Sequence, residues 1–379
     1  MRLKPLLLLS AIPLAAPTAV LAQEVDPHAQ HQGAPQAAPE PAGETPAATA
    51  EPAADEEVFE EAEAVPADAM DASLPLSYGS GTSRLPASEG MKGFHLPVAQ
   101  DTIVMLHGYA WGVYTDQGGP RGDDKVYVQS MLMGSFEKRF TGGKFQLRTM
   151  LSLEPAMARS GYPLLFGSGE TAYGQPLVDR QHPHDFVMEL AGRVDIDLKE
   201  GTSLFLYGGP VGEPAIGPSA FLHRQSAYYN PEAPITHHWF DSTHITYGVV
   251  TAGIAAPTWQ LEASAFRGKE PDERRWGIET PRLDSWSVRG SFAPTGTLLL
   301  QASYGEIKEP EALHPGEDEQ RFTASAQYNN GRGLSALLAF SSKARGDRDA
   351  LPAFLGELNW DLSRRHTLFG RFENVVNDE

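Results

Sequence analysis

From Thr102 onward the chain is written in segments of about ten residues whose side chains alternate in character, and no other feature narrows its fold as far. In 186–198, Phe186, Met188, Leu190, Gly192, Val194, Ile196 and Leu198 share one parity, while Val187, Glu189, Ala191, Arg193, Asp195 and Asp197 share the other. Phe322, Ala324, Ala326 and Tyr328 alternate in the same way with Arg321, Thr323, Ser325 and Gln327. A period of two marks a strand whose faces meet different surroundings. About ten residues, tilted, is the length that crosses a bilayer.

Thirteen strands are expected, at about 102–114, 125–139, 144–156, 185–198, 202–209, 243–255, 258–267, 283–293, 297–307, 320–329, 333–343, 352–362 and 366–376. Their links alternate in length. Short ones read "FTGGK", "KEGT", "AAPT", "PTGT", "NNGRG" and "SRR", and the long ones are 115–124, 157–184, 210–242, 268–282, 308–319 and 344–351. Short turns on one side and long loops on the other predict an all-β fold, a transmembrane antiparallel β-barrel of the bacterial outer membrane with about 14 or more strands when complete. Closure is a physical demand, because an open edge in lipid leaves backbone groups unsatisfied. A soluble β-sandwich also alternates, but it keeps a dry apolar core. Here charges of both signs fall in strand centres, as a wet lumen requires. Parity places Glu189, Arg193, Asp195, Gln260, Glu262, Arg289 and Arg321 in the lumen, and Leu190, Val194, Leu261, Val288 and Phe322 toward lipid. An odd strand count ends outside, whereas single-chain bacterial barrels have even counts. The barrel, 102–379, is therefore expected to be C-terminally truncated, lacking at least one closing strand.

Residues 1–22 read as a secretory signal, with Arg2 and Lys4 before an apolar run too short to span a membrane. Residues 23–83 hold 13 acidic and no basic residues among Ala and Pro, the composition of a disordered linker. Residues 84–101 then lead into the barrel. The chain has no cysteine, which excludes disulfides and thiolate chemistry. A net charge of −19 argues against nucleic acid as a partner. The expected partners are outer-membrane lipid and the barrel-assembly machinery.

The external loops concentrate unusual chemistry. "LVDRQHPHDF" closes one of them, and the next carries "LHRQSAYYNPEAPITHHWFDSTH". Six of the twelve histidines lie in these two loops. His182, His184, Asp185, His223, His237, His238, Asp241 and His244, joined by Asp179, are expected to meet at the external mouth. Imidazole and carboxylate without thiolate suit Cu or Zn as a bound metal ion. The competing reading makes the same residues a hydrogen-bonded plug, with Arg180, Arg224, Arg274 and Arg275 paired to acids. His244 is expected on a strand with Thr246, sharing a face with Ser242. That pair would suit a membrane-embedded hydrolase, but no oxyanion element accompanies it, and no enzymatic activity is expected.

The blocks "SGYPLLFGSGETAYGQPLVDRQHPHDFVMELA", "YGGPVGEPAIGPSAFLHRQSAYYNPEAPITHHWFDSTHITYGVVTAG" and "EASAFRGKEPDERRW" resemble a family of bacterial outer-membrane proteins without an assigned activity. Its members occur among heavy-metal, especially copper, resistance genes. The resemblance covers about 80–379 and implies the barrel; it assigns no ligand residues. Two functions stay open: a metal-binding envelope protein, and a porin-like passive channel whose loops only shape the pore.

Overall fold

The computed structural model describes residues 77–376, apart from 91, 158–159, 168–169, 173, 200 and 347. The expected signal and most of the expected linker lie outside the described residues. Fourteen strands make one antiparallel sheet in which each pairs with its neighbour in sequence. They are β1 (Phe94–Ala99), β2 (Thr102–Asp116), β3 (Asp124–Phe140), β4 (Gly143–Leu151), β5 (Val187–Asp197), β6 (Ser203–Gly212) and β7 (Thr246–Ala255), then β8 (Trp259–Phe266), β9 (Ser285–Thr295), β10 (Leu298–Ile307), β11 (Glu319–Asn329), β12 (Leu334–Arg345), β13 (Leu351–Ser363) and β14 (His366–Val375). The expected count of thirteen is corrected to fourteen. The additional strand is β1, inside the stretch read as a lead-in.

The sheet sorts its side chains by parity. Glu189, Arg193, Asp195, Gln260, Glu262, Arg289 and Arg321 are each at most 3% exposed, whereas Leu190, Leu261, Val288 and Phe322 are 36–57% exposed. Leu206, Phe292, Leu338 and Phe354 extend the apolar exterior. Exposed Trp259 and Trp360 stand near the short-turn ends of their strands, and Trp286 at a long-loop end. An apolar outer belt with aromatic girdles around a charged interior is the inverse of a soluble protein. This is a transmembrane β-barrel of the outer-membrane type. One parity assignment fails: Met188, expected beside Leu190, is fully buried. The β5–β4 register shifts between Val187 and Glu189, so that both Met188 and Glu189 turn inward at the bulge.

The interior is filled by the chain itself. The connection 213–245 between β6 and β7 does not stay outside but enters the barrel. Ala215 N–H donates to Ser264 of β8 at 2.7 Å, and Gly217 N–H to Ser303 of β10 at 2.9 Å. Arg224 reaches Glu357 of β13 at 2.6 Å, and Thr236 reaches Glu373 of β14 at 2.9 Å. On the other side Tyr127 of β3 donates to Glu232 at 2.7 Å. One loop that bonds β3, β8, β10, β13 and β14 must have the sheet curled around it. Gly217 needs to be glycine: its φ is +74°, and a Cβ there would lie 2.2 Å from Phe240 O.

A second segment joins this plug. Ser80, Thr82, Ser83 and Arg84 are all buried. Thr82 accepts from Gln260 through its carbonyl at 2.8 Å and from Arg289 through its hydroxyl at 3.1 Å. Residues 78–83, expected as the end of a disordered linker, are thus packed inside the barrel. The first and last strands, β1 and β14, are not paired with each other among the described residues. The plug bridges β2 and β14 from within. Trp111 of β2 packs against Tyr228 and Tyr229, Tyr229 stacks on Phe369 of β14, and Arg371 of β14 donates to the carbonyls of Asn230 and Glu232.

Candidate functional site

Four long loops on one rim (152–186, 213–245, 267–284 and 308–318) enclose a cavity of about 240 Å³. His182, His184, Asp185, His237 and His244 line it, opposite Lys269, Glu270 and Arg275. The two histidine-bearing loops therefore do meet, as their topology predicts. His237 and His244 have ring centroids 4.9 Å apart, and His184 and His244 5.3 Å apart. His238 adjoins His237 at 5.5 Å.

Local folding sets these positions. His237 and His238 open a single helical turn, His237–Phe240, and Asp241 closes it. His237 and Asp241 are thus four residues apart, one above the other, and bond at 2.7 Å. Ser242–His244 continues as a 3-10 turn rather than as strand, and β7 begins only at Thr246. This corrects the expected strand placement of His244 and Ser242. The Ser242 hydroxyl oxygen accepts from Arg321 at 2.9 Å, and the shared strand face on which the hydrolase reading rested is absent. Pro183 separates His182 from His184 before β5 starts.

Each ring is held through Nδ1. His184 Nδ1 meets Glu154 at 2.9 Å, His237 Nδ1 meets Asp241, His244 Nδ1 meets the Asp241 carbonyl at 2.8 Å, and His182 Nδ1 meets the Pro183 carbonyl at 2.7 Å. Carboxylates and carbonyls only accept, so Nδ1 carries the proton in all four. In a neutral ring the lone pair then sits on Nε2. His244 Nε2 is buried without a hydrogen-bond partner.

Electrostatics divides the cluster. Burial, with neighbouring His237 and His184, holds the His244 pKa well below the usual histidine value. Burial and Arg275 do the same for His182, as burial and His237 do for His238. His184 is the exception: burial pulls it down, but Glu154 outweighs burial and raises it. Burial lifts Asp185 to about 6 despite its ion pair with Arg275 at 3.1 Å. Burial opposes ionisation of Asp241, yet His237 and Arg224 hold it well below the usual carboxylate range. Glu270 is raised to about 8 by burial and by the charge of Glu311.

Two expected members lie elsewhere. Asp179 pairs with Arg121 at 2.7 Å, and His223 faces a separate cavity beside His107. Of the arginines expected to pair with acids, Arg180 takes Asp123, Arg224 takes Glu357 and Asp241, and Arg275 takes Asp185, while Arg274 is exposed. Sequence reading missed Glu154, Glu270 and Glu357. Among the described residues, no three His, Asp or Glu side chains are arranged to hold a metal ion as they stand. A metal would have to draw Nε2 atoms together from their present positions.

No protein-family model and no curated protein matches the chain. Solved structures similar to it include an anion-selective porin from Comamonas acidovorans, at 11% identity over 72% of this chain and 88% of that one, with a TM-score of 0.37. Another is the outer membrane channel DcaP of Acinetobacter baumannii, at 11% identity over 75% and 93%, with a TM-score of 0.36. A Rh. blastica porin mutant follows at 12% identity over 71% and 94%, with a TM-score of 0.30. Likeness at this level adds nothing to the barrel already drawn from the strands.

Proposed function

We propose that this chain is a plugged channel of the bacterial outer membrane, closed at rest by its own loop 213–245 and by residues 78–90. One observation carries the reading: the plug is clamped to opposite walls, by the buried ion pair of Arg224 with Glu357 on one side and the hydrogen bond of Tyr127 with Glu232 on the other. A pore shaped by loops at its rim needs no such clamp. Passage then requires the plug to shift or a narrow path beside it. In planar bilayers the wild type should show small, infrequent conductance steps, and Arg224→Ala should raise both their size and frequency. A wild type conducting steadily at the level of an open porin would refute the reading.

A second reading is favoured by the four Nδ1-committed rings. A histidine that gives its Nδ1 proton to a carboxylate or carbonyl is oriented to offer Nε2 to a metal. On this reading His184, His237 and His244 bind Cu²⁺ or Zn²⁺ after a small rearrangement, with Asp241 and Glu154 as the orienting acids. It accords with the resemblance to proteins found among copper-resistance genes. Calorimetric titration tests it: His184→Ala/His237→Ala should abolish one binding equivalent, and unchanged binding would leave the histidines as parts of the plug alone.

A further inference from the structure

A second cavity, of about 110 Å³, lies between the plug and the short-turn half of β2–β4. Met105, His107 and Met133 line it from the wall, and His223 lines it from the plug. His107 stands directly opposite Met133 in the β2–β3 ladder, and Met133 opposite Met150 in the β3–β4 ladder. One inward-facing row therefore crosses three strands as imidazole, thioether, thioether. Met131, Met133, Met150 and Met188 are buried in one cluster with Met105 packed against it. Five of the chain's nine methionines thus share one patch of the wall.

Methionine fills irregular cores well, and packing alone accounts for a buried patch of this kind. Packing does not account for the imidazoles. His223 is 7% exposed, and its Nε2 has no hydrogen-bond partner. Its ring centroid lies 6.5 Å from that of His107. The charges at the cavity edge are already matched: Arg148 with Glu189 at 2.7 Å, Lys144 with Glu137 at 2.9 Å, and Lys92 with Glu89 at 3.7 Å.

We propose that this cavity binds a soft monovalent cation, of the Cu(I) or Ag(I) class, through the thioethers of Met105 and Met133 and the imidazoles of His107 and His223. Thioether sulfur is a soft donor that selects such ions over Zn²⁺, Mg²⁺ or Ca²⁺, and the one carboxylate lining the cavity, Glu137, is held by Lys144. The inference does not depend on whether the barrel conducts.

Ag(I) is the probe, titrated into the refolded full-length protein in detergent. His28, His31 and Met70 in the N-terminal tail can also take silver, so the readout is the difference between variants. Met105→Leu/Met133→Leu keeps the side-chain volume. It should remove one tight equivalent or weaken it at least tenfold, and His223→Gln should do the same. X-ray absorption of the Cu(I)-loaded protein should show sulfur and nitrogen scatterers, with the sulfur lost in the double variant. Should that variant not fold, Met105→Leu alone, on a half-buried side chain, carries the same expectation. Silver stoichiometry and affinity unchanged in Met105→Leu and His223→Gln, or a scatterer set of nitrogen only, would overturn the proposal.

Discussion

Arg224 fastens the plug to the wall. Its guanidinium is 1% exposed and takes both oxygens of Glu357, at 2.6 and 3.0 Å, while Nη1 donates to the Ser219 carbonyl at 2.6 Å. Truncating one member of a buried pair strands the other charge, so Arg224→Ala should lower unfolding stability in urea by about 3–5 kcal/mol. Replacing both members, as Arg224→Met/Glu357→Leu, should recover most of that loss. If the single and double variants are equally unstable, the pair is not the clamp. The lipid face offers a separate check. Leu261→Arg, near the middle of β8, should cost about 2–4 kcal/mol. A cost near zero would mean that Leu261 does not face lipid. These residues differ in how legible they were. The parity of Leu261 and Glu262 is written in eight consecutive positions of β8, whereas the partner of Arg224 lies 133 residues away in sequence. Pairings of that range are fixed by the curl of the whole sheet and leave no local sign.

At the level of elements, the fourteen-stranded sheet was readable wherever alternation ran unbroken. It failed at β1, "FHLPVA", where six exposed residues and Pro97 obscure the period. It failed again at Met188, where a bulge lets consecutive residues face inward. The plug failed as structure but not as composition: the histidines of 213–245 announced a folded loop, while the acids that seat it sit on distant segments. Its electrostatics makes the plug sensitive to pH. Burial raises Glu213 and, with Glu311, Glu270 from the ordinary glutamate value of 4.5 to about 8. These two carboxyls bind more protons in the folded protein than in the unfolded chain between about pH 4.5 and 8, whereas His182, His223, His238 and His244, held low, bind fewer below the ordinary histidine value of 6.5. Above about 6.5 the glutamates prevail, and stability falls as pH rises from there to about 8. His184 acts in the same direction. Its folded pKa is raised, so its bond to Glu154 stabilises most below the ordinary value of 6.5 and is lost as pH rises through the folded value. Hydrogen exchange in 213–245, corrected for intrinsic rate, should show less protection at pH 8.5 than at pH 7, and Glu213→Gln should flatten the difference. Equal protection at both pH values would contradict this.

At the scale of the whole molecule, an outer-membrane barrel holds two segments of its own chain that meet inside it. Ser80 and Ser219 mark the meeting point. Their hydroxyl oxygens are 3.2 Å apart, though the residues are 139 positions apart in sequence. The natural chain has no cysteine, so a pair introduced there can find only itself. Ser80→Cys/Ser219→Cys, assembled in the outer membrane of intact cells, should form a disulfide under mild oxidation, and both thiols should stay shielded from a bulky impermeant reagent when reduced. Free thiols that fail to pair and react readily from outside would show that neither segment occupies the lumen.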